Sequence, residues 1–304
     1  VYHSSVLLDN KLYFSGGHNE SYDNITNEFF YLDVSKPFTT TDNDSMRWVG
    51  LTYTSSPLKQ LATACIGGKN NDMIFIFGGI SPNANQSLVN QFDTNKQQWI
   101  NITSVGNVPS NRNDFACASF DNGLIAIFSG ISSSSNSTND LWIFNTLTLT
   151  WSLSNATNAP LPMYAYCAVT LPDGNILYIG GSYFTNSPAT GPVSMLLLYN
   201  TTSDTWTSKS TGGTFPPPRL QFSAVLSMSF SNVRNVFDGG FSLDVFSDLW
   251  ILNTQALFEW SMGIISNPIV DLALYGHTAT LVDNYMFISL VSFKMALIYQ
   301  KYLC

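Results

Sequence analysis

Charge is the first thing this chain is short of. Only 11% of its 304 residues are Asp, Glu, Lys or Arg, against about 25% in an ordinary soluble protein. Twelve Lys and Arg set against twenty Asp and Glu leave a net charge of −8, and no basic cluster occurs. A phosphate backbone demands concentrated positive charge, so nucleic acid is not an expected partner. Histidine is scarcer still, at His3, His18 and His277, and the four cysteines form no CxxC. There is no HExxH and no GxSxG. Strings such as "SGG" and "GGTF" lead into no helix that would offer its N-terminus to an anion. The longest apolar run, Met286 to Tyr299, contains Lys294 and is shorter than the roughly 20 residues of a membrane span. The opening "VYHSSVLL" lacks Met and reads as a trimmed or mature fragment, so the missing signal peptide is uninformative.

Apolar and aromatic residues are plentiful, at 45% and 14%, ample for a large core. With so few charges the polar surface must be built from Ser, Thr and Asn. That usage suits an extracellular or cell-surface protein better than an intracellular one.

Glycine and tryptophan supply the organisation. Strand-like runs end at Gly16-Gly17, Gly78-Gly79, Gly130, Gly180-Gly181 and Gly239-Gly240. Each is followed by a polar loop, a second apolar run and then a tryptophan: Trp48, Trp99, Trp151, Trp206 and Trp260, spaced by 51, 52, 55 and 54 residues. The phrase "DLWIFNTLTLTW" ending at Trp151 returns as "DLWILNTQALFEW" ending at Trp260. The runs are short, β-branched and aromatic, bounded by Gly, Asn, Ser and Pro, and carry no 3.6-residue stripe. A period near 50 with four strands per unit predicts an all-β propeller with almost no helix. Asp, Asn and Thr recurring before each tryptophan are expected to bond the local turn backbone, with the tryptophan between blades.

This pattern resembles the kelch repeat, in which a first strand often opens with Arg or His, a second ends in Gly-Gly, a third reads like "dlwiyD" and a Trp opens the fourth. The resemblance covers nearly the whole chain. It implies a kelch-type β-propeller of about six four-stranded blades, roughly 1–52, 53–104, 105–155, 156–210, 211–264 and 265–304. The sixth departs from the pattern: "SLVS" replaces Gly-Gly and no Trp closes it. It is expected to hold three strands and an exposed edge, its fourth strand lying upstream of Val1.

The kelch superfamily includes galactose-oxidase-type copper enzymes with two His and two Tyr ligands, one Tyr crosslinked to Cys. His3 and His277 share one phase of the repeat, which is also the ordinary kelch His position. No Tyr pair matches the copper ligands, so both histidines are expected to be structural, with no metal or cofactor. Cys65, Cys117 and Cys167 recur 52 and 50 residues apart. They are assigned to one phase, as small buried residues held too far apart to bridge, the alternative being disulfides or a metal site; Cys304 is terminal.

The loops leading into the first strands carry Lys59, Arg112, Tyr164 and Arg219. In kelch propellers these loops and the second-to-third-strand loops share one face around the channel. The four residues are therefore the candidate binding set, Arg for acidic groups, Tyr for apolar or sugar surfaces; the alternative is that the arginines bond loop backbone. Sequons stand at Asn19, Asn24, Asn43, Asn85, Asn101, Asn136, Asn155 and Asn200, nearly all in expected loops or turns. The functional expectation is a non-enzymatic module that binds another protein, or a glycan, through the loop face. A galactose-oxidase-like enzyme and an intracellular kelch adaptor are the alternatives.

Overall fold

The computed structural model describes residues 1–38, 43–83, 87–102, 106–121, 123–132, 138–185, 189–191, 193–229, 232–238, 240, 242, 245–255, 257–264, 273–290 and 294–299. Five four-stranded antiparallel meanders follow one another along the chain in sequence order, the fifth extended by Gly212–Gly213, which pairs parallel to the strand at Glu259 and Trp260. The first comprises Ser4–Leu8, Lys11–Ser15, Phe29–Asp33 and Arg47–Gly50; the second Gln60–Gly67, Met73–Ile80, Val89–Asp93 and Gln98–Asn101. The third and fourth begin at Cys117–Phe120 and Cys167–Thr170, and the fifth at Ser223–Ser229. A sixth sheet holds three strands, Thr278–Val282, Tyr285–Leu290 and Lys294–Tyr299. This is the propeller expected from the period, five complete blades and a shorter sixth. Among the described residues the only helical turns are 3-10 turns at Asn43–Ser45 and Thr52–Thr54.

The repeated polar residues hold the turns between third and fourth strands. Asn145 Oδ1 accepts the N–H groups of Leu147 and Thr148. Asn200 does the same for Thr202 and Ser203, and Asp93 for Asn95 and Lys96. Each side chain thus supplies locally what the four-residue turn leaves unbonded.

The tryptophans join blades. Trp99 of blade two packs on Phe29 of blade one, centroids 4.9 Å apart. Trp151 of blade three meets Phe77 of blade two at 5.9 Å, and Trp206 of blade four meets Phe128 of blade three at 4.7 Å. Trp260 of blade five donates its indole N–H to Val193 O. Trp48 instead joins a cluster shared by blades one and six, with Leu12, Phe14, Val282 and Phe287. Each such aromatic pair adds about 0.5–1.5 kcal/mol beyond the area it buries.

The glycines make the other seam. Gly17 N–H donates to Lys59 O, Gly130 to Met163 O, Gly181 to Arg219 O and Gly240 to Leu274 O, each acceptor lying in the next blade's leading segment. The approach is too close for a side chain: a Cβ on Gly78 would lie 2.2 Å from Arg112 O. Gly78 also has φ +64°, where L-residues are disfavoured. Blade three has Ser129 in this place; it is fully buried and its Oγ accepts Met163 N–H at 2.8 Å. Gly239 lies outside the described residues.

Candidate functional site

The first strand of every blade begins with one residue turned out of the ladder. In blade two the ladder pairs Gln60↔Ile80 and Ala62↔Gly78 and skips Leu61 between them. Its counterparts are Tyr2, Asp114, Ala165, Gln221 and Gly276, and all six have φ between 53° and 62°. This left-handed conformation turns each peptide sideways. As a result Leu61 N–H donates to Tyr2 O, Asp114 to Leu61, Ala165 to Asp114, Gln221 to Ala165, Gly276 to Gln221 and Tyr2 to Gly276, at 2.6–3.1 Å. Six blades contribute one link each, and the circle closes through the short sixth. Left-handed non-glycine residues cost about 1–2 kcal/mol each, a strain the closed ring offsets and holds in place.

The ring encircles a cavity of about 180 Å³, lined among others by Tyr2, Asp114, Tyr166, Gln221 and His277. Burial pushes the Asp114 carboxyl up to about 6, partly offset by the Gln221 amide beside it. Tyr2 lies against the same amide. Gln221 Oε1 is buried without a hydrogen-bond donor. None of these three was singled out by sequence reasoning. The available signal was their position two residues past the Arg112 and Arg219 register.

Three of the four sequence candidates lie beneath this face rather than on it. Arg112 is 2% exposed and Arg219 1%. Arg112 forms a two-pronged pair with Asp140, Nη1 to Oδ1 at 2.7 Å and Nη2 to Oδ2 at 2.9 Å, and its Nη1 also reaches Ser129 O. Trp142 and Thr138 donate to the same carboxylate. Burial works to raise the Asp140 pKa, but the Arg112, Thr138 and Trp142 bonds prevail and hold it below the usual range. Arg219 repeats the arrangement with Asp248 at 2.5 and 2.8 Å, joined by Trp250, and its guanidinium lies 4.3 Å from the Phe246 ring. Lys59, also buried, donates to Ser87 O at 2.7 Å, and burial lowers its pKa to about 7. Of the two readings of these side chains, the geometry fits the one in which they bond the loops. Tyr164 alone stays half-exposed, packed on Phe184 at 4.7 Å.

The cysteine expectation is corrected: Cys65 and Cys117 form a disulfide, with Cα atoms 6.5 Å apart. The three cysteines do not share one phase. Cys65 lies four residues past its ring residue Leu61, whereas Cys117 lies three past Asp114. Because side chains alternate across a strand, that one-residue offset turns the two thiols toward each other across neighbouring blades. Cys167 lies two past Ala165, and its Sγ meets Phe222 O of blade five at 3.0 Å; burial pushes its pKa up to about 12. Cys304 lies outside the described residues.

His3 is buried, bonded through Nε2 to Ser289 and Thr278 at 2.8 Å, and burial lowers its pKa to about 3. His277 is buried beside it in the channel wall. Among the described residues no three His, Cys, Asp or Glu side chains converge. Of the sequons, Asn24, Asn101 and Asn155 are exposed and Asn19 and Asn200 half-buried. Asn85 and Asn136 lie outside the described residues, as does the Asn43 side chain.

Exposed apolar residues mark the loops that lead to the ring. Val108, Leu161 and Phe215 are 46%, 58% and 46% exposed, and each directly precedes a proline, Pro109, Pro162 or Pro216, in three successive blades. Tyr22, in the second-to-third-strand loop of blade one, is also exposed.

Residues 2–233 match the profile described as the KLHDC2/KLHL20/DRC7 Kelch-repeats domain. The chain is 28% identical over 180 residues to human "Rab9 effector protein with kelch motifs", covering 57% of this chain and 47% of that protein. It is 24% identical over 193 residues to bovine "Kelch domain-containing protein 3", covering 59% and 47%. It is 31% identical over 188 residues to Arabidopsis thaliana "Acyl-CoA-binding domain-containing protein 4", covering 59% and 25%. The chain thus spans about half the length, or less, of these relatives. With the Gly-Gly seams, the inter-blade tryptophans and a match over most of its length, the chain belongs to the kelch-repeat family of β-propellers.

Proposed function

We propose that this propeller is a non-enzymatic protein-interaction module that takes its partner on the loop face around the channel mouth. The observation that carries the reading is the set Val108, Leu161 and Phe215, held out to solvent on three neighbouring loops by prolines that limit backbone freedom. Rigid presentation of apolar groups around a polar depression is the arrangement of a binding surface, because little ordering entropy remains to be lost on contact. A relative named as a Rab9 effector supports protein rather than small-molecule recognition. The Cys65–Cys117 bridge and the Ser- and Asn-rich surface support an extracellular or cell-surface setting.

The test is crosslinking capture with a Val108→Ser/Leu161→Ser/Phe215→Ser variant. These side chains are exposed, so the variant should match wild-type thermal unfolding while losing the captured protein. Equal capture by both forms would remove this face from the interaction.

A further inference from the structure

The ring at the channel mouth holds a pocket with two side-chain acceptors in its lining. The Asp114 carboxyl and Gln221 Oε1 both line the cavity. No Lys, Arg or His among the described residues pairs with Asp114. Arg112, two residues away, is engaged by Asp140, and Lys59 by Ser87 O. The Gln221 amide lies against both Asp114 and the Tyr2 hydroxyl, which leaves its oxygen as the group lacking a donor. Tyr2, which lines the cavity, packs on Tyr275 with centroids 6.3 Å apart. The chain as a whole carries −8.

We propose that the channel mouth receives the guanidinium or ammonium group of a partner protein's Arg or Lys side chain, bound between the Asp114 carboxylate and Gln221 Oε1. An anion would meet Asp114 unshielded, and an apolar group would leave both acceptors desolvated without a donor. A cation supplies several N–H donors to two acceptors at once, and tyrosine faces favour it further. The inference rests on the reading of this face as the one that meets a partner, and it names the chemistry of the residue at its centre.

The experiment titrates the isotope-labelled chain with butylguanidinium chloride, with butan-1-ol as the apolar control, and follows backbone amide signals. The expected result is saturable shifts at Tyr2, Leu61, Asp114, Ala165 and Gln221 for the cation and none for the alcohol. Asp114→Asn keeps the shape and tolerates the left-handed backbone, so it should fold and bind about tenfold more weakly. Gln221→Glu adds a second carboxylate and should bind more tightly. A short acetylated peptide with a central arginine should reproduce the shifts, and its citrulline counterpart should not. Three results overturn the proposal: no saturable shift at the ring, undiminished binding by Asp114→Asn, or shifts with free butylguanidinium but not with the arginine peptide. The last would assign the pocket to a free small cation instead. Because the titration uses neither Val108, Leu161 nor Phe215, its failure is separable from failure of the capture experiment.

Discussion

Arg112 and Asp140 lie 28 residues apart and meet as a two-pronged ion pair in which the guanidinium side chain is 1% exposed and the carboxylate 23%. The pair ties the loop leading into blade three to the start of that blade's third strand. Arg219 and Asp248 repeat it in blade five. Two of the other blades lose both members together. Blade two has Lys59 with Leu88 in the Asp140 register, and blade four has Met163 with Met195. A buried guanidinium without its carboxylate would be costly, which accounts for the joint loss.

Truncating Arg112 therefore strands a partly buried carboxylate. Arg112→Ala is expected to lower unfolding free energy by about 3–5 kcal/mol, read from urea denaturation midpoints. Arg112→Lys should recover only part of that, since an ammonium cannot reproduce the planar fork. A loss below about 1 kcal/mol for Arg112→Ala would mean that the pair contributes no more than an exposed one.

Peptide mapping without reductant should recover Cys65 and Cys117 in one linked species. The Cys65→Ala/Cys117→Ala variant should unfold about 2–4 kcal/mol more easily. Cys167 is half-buried, with its Sγ on Phe222 O, and is held as a thiol by its raised pKa, so iodoacetamide should label it far more slowly in the folded than in the unfolded chain. Native-state labelling of Cys65 or Cys117 would contradict the bridge.

The third prediction concerns pH. The Asp114 carboxyl titrates near 6 in the folded chain against 3.8 for the free side chain. Between those values the folded state holds a proton that the unfolded state has released. Stability attributable to this group is thus full below about pH 4, falls as pH rises, and reaches its lowest level above about pH 6. Asp140 and Asp248, both depressed, contribute the opposite slope below that window, so the informative quantity is the difference between wild type and Asp114→Asn. Tyr2, Tyr166 and Gln221 face Asp114 and do not ionise between pH 4 and 6, while His3 and His277, which line the same cavity, are common to both proteins being compared. The variant should be about 1–3 kcal/mol more stable at pH 7 and show no advantage near pH 4. An equal difference at both pH values would show that the ionised carboxylate carries no penalty in the fold.

Much of the architecture was legible because the repeat is written in glycine and tryptophan, whose spacing survives the variation of everything between them. Trp99, Trp151 and Trp206 lie between blades as that spacing implied. The site was less legible. Arg112 and Arg219 attract notice as the only cations in their loops, yet burial cannot be read from a loop's composition, and the partner carboxylates lie 28 and 29 residues on. Cys117 misled for a different reason: a period of 52 residues fixes which strand a residue occupies but not which side of it. Cys65 and Cys117 stand four and three residues past their ring residues, and a shift of one place reverses the facing. Asp114 and Gln221 look like ordinary loop residues until the left-handed turn brings six such positions around one axis.

The circle of six peptide bonds has a consequence for how this molecule can diversify. The N–H and C=O groups of its members are taken up by one another, so the polarity presented at the mouth by these positions is set by their side chains alone. Exchanging a side chain there alters what the mouth presents while leaving the girdle that closes the propeller intact, provided the newcomer accepts a left-handed backbone. The mouth is in effect a six-letter word written on a fixed frame, and in this chain it is spelled Tyr2, Leu61, Asp114, Ala165, Gln221, Gly276.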